Sequence, residues 1–215
     1  GQGAVATQAG KDHAKETGNS MYHVLTLLRF GRYDEIPAVT DRPDDDIPGG
    51  FWDFAQGYAA ARNGDMDSAQ TYLASVQDLA ENSTARFRFH DARKLMGLSA
   101  AILEGEMKRL DGHLDGAIDT FQRAVAFDDA QPYDEPEPIP YAARHWLGAA
   151  LLEAGRYAEA EQEYRTELAD HPHDIWSLQG LKVALGAQDK IDADVDADYE
   201  ESTARKDVWI TTSIM

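Results

Sequence analysis

The sequence predicts an all-α protein, a right-handed α-solenoid of stacked antiparallel helix pairs. Pairs of small residues recur along the chain, at Gly57 and Ala69, Gly105 and Ala117, and Gly148 and Ala160. A glycine lies between the members of each pair, as a turn between two helices requires: Gly64, Gly112 and Gly155. Because small side chains let two helix backbones approach closely, this recurrence predicts a series of helix crossings. An apolar fraction of 43% supplies side chains for a single continuous core in residues 1–215.

The clearest unit covers residues 141–174 and contains a characteristic set of positions. Leu147 and Gly148 lie in a first helical pattern, Gly155 marks the turn, and Ala160 and Tyr164 lie in a second pattern. Pro172 then ends the second helix, because it cannot donate to the helical hydrogen-bond ladder. This spacing resembles the tetratricopeptide repeat (TPR), a unit of roughly 34 residues. The resemblance implies that Tyr164 fills the wedge between one unit and the next.

The N-terminal half contains weaker copies. Ala4 to Glu16 predicts a lone second helix, and the unit at 17–49 has the turn Gly31-Arg32-Tyr33 but carries Pro37 in its second helix. The unit at 50–83 has its own set of matching positions: Gly57, Gly64, Met66, Ala69 and Leu73.

The C-terminal half contains the remaining units and the segments between them. The unit at 84–131 is longer than a standard repeat, and few breakers occur from Ser83 to Leu110, which predicts a first helix of about 25 residues. Four prolines make 131–140 an extended, stiff loop. The unit at 175–206 resembles a terminal cap, and 207–215 is expected to be an extended tail.

The whole chain also resembles the C-terminal part of a group of larger bacterial TPR proteins. Four segments carry this likeness: Phe30–Ile36, Pro132–Pro136, Arg144–Tyr164 and Ala204–Ser213. The resemblance implies fold and architecture, and it implies no reaction.

Composition narrows the classes of partner. A net charge of −19 repels phosphate backbones and anionic lipids, so neither nucleic acid nor a membrane surface is expected as a partner. The absence of cysteine removes disulfides, thiolate metal sites and cysteine nucleophiles. We expect a monomer or a weak dimer, and a cytoplasmic location is favoured over a periplasmic one.

In TPR units, the first helices line an inner groove, and the resemblance assigns groove positions to this chain. An aromatic stripe of this kind could grip an apolar side chain of a bound peptide, or the rings could pack against the first unit instead. The predicted partner-binding residues are Phe51, Phe54, Tyr58, Arg62, Ile102, Glu106, Arg109, His145 and Ala149. The Lys and Asn residues that clamp a terminal carboxylate in chaperone-binding TPR domains do not occur at these positions.

A second candidate site combines a basic run with the Pro-rich loop. Arg86, Arg88 and Arg93 form a basic cluster in an acidic chain, either as an anion site or in internal ion pairs. The loop residues Tyr133, Asp134 and Glu135 could fold over the groove, with Asp134 or Glu135 pairing to Arg144.

Metal and catalytic motifs give little support for an enzyme. His171 and His173 could reach one ion, but two ligands make a weak site, so no metal and no cofactor are predicted. The patterns GxSxG, GxxxxGK[ST] and HExxH, and a dinucleotide-binding GxGxxG after a strand, do not occur. The sequence therefore predicts a non-catalytic scaffold that binds a protein or peptide. The alternatives are a protein that binds a small molecule or metal near the Pro-rich loop, and an accessory domain of a larger enzyme.

Overall fold

The structure is a computed structural model that describes residues 2–204, 210 and 212–214. This part of the chain is almost entirely helical, as predicted. Most of the predicted tail at 207–215 lies outside the described residues. The α-helices are α1 (Gly3–Thr17), α2 (Met21–Arg29), α3 (Asp46–Arg62), α4 (Met66–Asn82), α5 (Ala92–Leu110), α6 (Leu114–Asp129), α7 (Arg144–Glu153), α8 (Tyr157–Asp170), α9 (Ile175–Gly186) and α10 (Ala193–Thr203). No helix within these described ranges has the length and apolar character to cross a membrane.

Helices that follow one another in sequence pack against one another in space. The neighbours α3 and α4, α5 and α6, and α7 and α8 form pairs, and the second helix of each pair also contacts the helix that follows it. Helix α3 contacts α5, and α7 contacts α9, so the first helices of the pairs lie side by side. These first helices carry much of the buried core.

The first helix of each pair ends in the same way. After α3, Gly64 has φ of 84° and the next residue, Asp65, donates its N–H to Ala60. After α7, Gly155 has φ of 72° and Arg156 donates to Leu151. Glycine takes this left-handed conformation without a Cβ penalty. In each helix the bond satisfies a carbonyl that would otherwise have no partner at the helix end. The same arrangement follows α2 and α5.

The predicted small residues lie at helix contacts, which confirms that prediction. A Cβ added to Gly148 or Gly180 would overlap the ring of Tyr164, and one added to Gly105 would overlap Phe121. Tyr164 therefore fills the space between α7 and α9, as the wedge position requires. A Cβ on Gly57 would lie 2.7 Å from a methyl carbon of Leu103 on α5.

The long helix predicted from Ser83 to Leu110 is wrong in its first part. Helix α4 ends at Asn82, and a two-stranded antiparallel hairpin of β1 (Arg86–Phe87) and β2 (His90–Asp91) precedes α5. Arg88 has φ of 54°, which turns the chain between the strands. The Ser83 hydroxyl bonds the Ala85 N–H and so competes with helix formation. The absence of proline favoured one long helix. The alternation Arg-Phe-Arg-Phe, however, has the period of a strand.

Side chains also connect helices that are distant in sequence. Trp146 on α7 donates its indole N–H to the Tyr58 hydroxyl on α3 at 2.9 Å. Arg29, at the end of α2, lies 3.5 Å from the centre of the Trp176 ring on α9. Side chains of α3 and α7, and of α2 and α9, therefore contact each other, and Phe51, Phe54 and Tyr58 of the expected groove are fully buried.

Candidate functional site

A cavity of about 480 Å³ lies where the ends of α2, α3, α5 and α7 meet the start of α9. We call it the arginine pocket, after Arg29, Arg62 and Arg109, which line it together with Glu153 and Trp176. Arg29 and Arg62 are the last residues of their helices, where a cation is favoured by the negative end of the helix dipole. The remaining walls are largely apolar: Phe30, Gly31, Ala149, Leu152, Ile210, Thr212, Ser213 and Ile214.

A buried carboxylate beside the pocket holds two of the arginines. Glu106 is fully buried and accepts hydrogen bonds from Arg62 at 2.9 Å and from Arg109 at 2.8 Å through both oxygens. Burial opposes its charge, but the bonds from Arg109 and Arg62 outweigh burial and hold the pKa of Glu106 below its ordinary value. Arg109 also contacts Glu153 at 2.5 Å.

Arg62 lines the pocket and bonds a carboxylate through one of its three nitrogens. Among the described residues, its carboxylate partner is Glu106, reached through Nη1 alone. The guanidinium lies 5.1 Å from the centre of the Tyr33 ring, and its side chain is 27% exposed. A guanidinium has five N–H donors in a planar fork, so Nε and Nη2 can bind an incoming anion.

Arg29 is a buried cation with distant partners. Its side chain is 10% exposed, and its Nη2 lies 3.4 Å from Asp174. Its Nη1 lies 3.4 Å from Nδ1 of His145. Burial lowers the pKa of Arg29 to about 10, since Asp174 offsets only part of the desolvation. An anion in the pocket would offset the remaining desolvation of the Arg29 charge.

An Asp-His-Ser group lies next to Arg29: Asp174, His145 and Ser177. These are the residue types of a nucleophilic triad, but their arrangement differs from one. Both Asp174, at 2.8 Å, and Ser177, at 3.1 Å, contact Nε2 of His145, whereas Nδ1 faces Arg29. In a working triad the two ring nitrogens serve the carboxylate and the hydroxyl separately. Asp174 also caps α9 by accepting from the Ser177 N–H, so this group joins α7 to α9. Burial opposes the charge of Asp174, but His145 and Arg29 outweigh it and hold the pKa of Asp174 well below its ordinary value.

Comparison of the chain with protein-family models, with curated proteins and with solved structures found no match.

The structure separates the predicted groove residues into two groups. Phe51, Phe54, Tyr58 and Ile102 are fully buried, so they belong to the core and are not accessible to a partner. They are buried because α3 packs against α5 and because Tyr141 and Trp146 cover the rings of Phe54 and Tyr58.

The other predicted groove residues meet at the arginine pocket. Arg62, Arg109 and Ala149 line it. Glu106 accepts a hydrogen bond from Arg62, and His145 contacts Arg29. Arg29 and Trp176 were not among the predicted groove residues. Arg29 had a signal, since it is the single Lys or Arg in the apolar helix MYHVLTLLR.

The second predicted site is engaged in internal pairs. Arg86 pairs with Asp91 at 3.3 Å and Arg88 with Asp134 at 2.8 Å, as the internal ion-pairing alternative expects. Arg93 lines a separate cavity with Glu81 and Arg123.

The Pro-rich loop is attached differently from the prediction. Asp134 contacts Arg88 and His90 of the hairpin, and it does not pair with Arg144. Glu135 accepts from the hydroxyl of Tyr133, which is 85% exposed. Arg144 instead binds Asp129 at 2.6 Å. The hairpin, absent from the prediction, brings Arg88 within reach of the loop and explains the difference.

Proposed function

We propose that this chain is a TPR-like protein, a right-handed solenoid of helix pairs, that acts as a non-catalytic binding module for a protein or peptide. The recurring glycine contacts and helix ends support the repeat assignment. The proposed contact is the arginine pocket, where the partner inserts an acidic group.

One observation carries the proposal: three arginines converge on one cavity in a chain with a net charge of −19. With 39 acidic residues, carboxylates are abundant, yet the Asp174 carboxylate lies 3.4 Å from Arg29, and Arg62 bonds Glu106 through Nη1 alone among the described residues. Apolar walls beside this charge suit an acidic residue flanked by apolar side chains. Charge-assisted hydrogen bonds in such a partly enclosed site are about twice as strong as neutral ones.

A small organic acid is the second candidate ligand. The cavity volume of about 480 Å³ lies within the usual range of small-molecule pockets, roughly 300–1,000 Å³. The same residues would bind it.

A peptide-display selection against the whole chain tests the proposal. We expect enriched peptides to contain Asp or Glu beside apolar residues. In calorimetric titrations, Arg62→Gln should weaken their binding about tenfold or more, since a hydrogen bond to a charged group contributes about 1.5–3 kcal/mol. Short-chain carboxylic acids titrated in parallel distinguish the small-molecule candidate.

Arg156→Gln is the matched control. Like Arg62, Arg156 forms an ion pair with a glutamate, Glu159. It lies on the surface at the start of α8 and does not line the arginine pocket. Enriched peptides without acidic residues, or equal affinity for both variants, would contradict the proposal.

A further inference from the structure

A second cavity, of about 430 Å³, lies between the Pro-rich loop, the ends of α6 and α8, and the residues that lead into α7. Six of its sixteen lining residues are acidic, and we call it the acidic cavity; Arg144, His90 and His171 also line it. The acidic residues that line it are Asp128, Asp129, Asp134, Glu137, Glu167 and Asp170.

Most of these carboxylates already have cationic partners. Asp134 contacts Arg88 and His90, and Asp129 binds Arg144. His171 lies between two others, 2.6 Å from Glu167 and 3.0 Å from Glu137. Burial alone would lower the pKa of His171, but Glu137 and Glu167 outweigh it and raise that pKa.

Two of the six acids form no ion pair among the described residues: the exposed Asp170 and the half-buried Asp128. Asp128 accepts a hydrogen bond from the Ala143 N–H at 2.8 Å. Burial raises the pKa of Asp128 to about 7. The Ala143 hydrogen bond acts to lower it, and the negative charges of Glu167, Glu137 and Asp129 raise it further. This half-buried carboxyl lies beside other carboxylates, and the nearby Arg144 and His171 of the same wall are paired with those neighbours.

Tyr141 provides an independent observation at the same cavity. Its side chain is only 4% exposed, it lines the cavity, and its hydroxyl has no hydrogen-bond partner among the described residues. Burial and the nearby Asp128 raise the pKa of Tyr141 well above its ordinary value, with Arg29 opposing them. A buried hydroxyl without a partner is destabilising, so a missing donor or acceptor is expected beside it.

The geometry selects among cations. No group of three or more described His, Asp or Glu residues is arranged to hold a metal ion. Calcium binds six to eight oxygen ligands at about 2.3–2.6 Å, and a dedicated calcium site draws several of them from carboxylates that converge on one point. An ammonium group needs only hydrogen-bond acceptors at ordinary distances, and its three donors match a carboxylate and a hydroxyl.

We propose that the acidic cavity binds an organic ammonium group, with Asp128 and Tyr141 accepting its hydrogen bonds. This site is separate from the arginine pocket and goes beyond the function proposed above. The ammonium belongs either to a free amine or to a lysine side chain.

Calorimetric titration of the whole chain at about 0.15 M salt tests the proposal. Butylammonium and a lysine-containing tripeptide represent the two sources, and tetramethylammonium has the same charge without N–H donors. We expect butylammonium, the tripeptide or both to bind, and tetramethylammonium to bind at least tenfold more weakly. Below pH 7, binding should release up to one proton, because the ligand favours ionised Asp128.

Three variants locate the site. Asp128→Asn keeps an acceptor for the Ala143 N–H and should weaken binding at least tenfold, and Tyr141→Phe should weaken it severalfold. Glu200→Gln, an equal change of charge on exposed α10, should leave binding unchanged. The proposal is overturned if neither ammonium probe binds, if tetramethylammonium binds equally well, or if Glu200→Gln weakens binding as much as Asp128→Asn.

Discussion

Tyr164 shows how one side chain sets the spacing of two helices. Its fully buried ring lies against Gly148 on α7 and Gly180 on α9, and its hydroxyl bonds Ser213 of the C-terminal segment. Neither glycine position has space for a methyl group. Since protein interiors are close-packed, an added methyl there must displace the ring or the helix.

Gly180→Ala should therefore destabilise the protein by about 1–3 kcal/mol, measured as the free energy of unfolding in urea. Gly186→Ala is the matched control on the same helix, because a Cβ there meets no atom within 4 Å. The control should be neutral or slightly stabilising, as alanine favours helix more than glycine. Equal losses in both variants would show that the Tyr164 contact does not limit the spacing.

Asp128 makes stability depend on pH in an unusual direction. Its folded-state pKa of about 7 lies above the unfolded value of 3.8, so the folded state holds a proton that the unfolded chain has released. Stability therefore declines as pH rises through this window and levels off above it.

Asp128→Asn removes this titration. The variant should match the native protein near pH 4 and exceed it by about 1–4 kcal/mol at pH 8, where native Asp128 must carry a buried charge. Urea unfolding at a series of pH values measures the difference, with Glu200→Gln as a control that should show no such trend. A difference that does not vary with pH would contradict the assignment of the raised pKa.

At the scale of elements, the Pro-rich loop depends on the hairpin. Asp134 links the two, since it contacts Arg88 at 2.8 Å and His90 at 3.1 Å. Arg88 also donates to the Pro136 carbonyl at 2.6 Å. A second contact, between His90 and Gln131 at 3.0 Å, lies at the start of the loop.

Asp134→Asn should release the loop without unfolding the helices. We expect amide hydrogen exchange in 131–140 to accelerate at least tenfold, with little change in α3 to α6, because local opening costs less than global unfolding. Glu135→Gln provides the control, since the Glu135 carboxylate accepts from the exposed Tyr133 hydroxyl within the loop itself. Unchanged exchange in Asp134→Asn would show that other contacts hold the loop.

At the scale of the whole molecule, Arg29 joins distant parts of the chain. Its bond to Asp174 spans 145 residues, and its guanidinium stacks on Trp176. In an open repeat array each unit contacts only its neighbours, and the units can unfold separately. Here the contact between α2 and α9 links the first helices to the last ones.

Arg29→Gln should cost about 3 kcal/mol, because it leaves Asp174 without one of its buried partners. It should also loosen α2 and α9 more than α5, which hydrogen exchange resolves by element. Arg32→Gln is the control, since Arg32 forms an exposed pair with Glu35 near the same helix end. Uniform loosening of all helices would argue against a specific link.

Local patterns predicted much of the fold and less of the site. The glycines at 57, 105 and 148 marked helix contacts, and the turn glycines marked helix ends, because backbone sterics act over a few residues. Of the groove residues, Arg62, Arg109 and Ala149 reached a cavity wall. The hairpin at 86–91 was missed because its strands are two residues each, so the alternation Arg-Phe-Arg-Phe is too short to outweigh the absence of proline.

The sequence by itself determined that the chain forms helices, where most of them end, and which small residues let them approach. Only the tertiary structure decided which of the 39 acids pairs with which arginine, and that Phe51 and Tyr58 lie in the core rather than on a groove. The physical reason is range. Helix ends and small-residue contacts depend on neighbouring residues, whereas the pairing of Arg29 with Asp174 depends on how all the intervening helices pack.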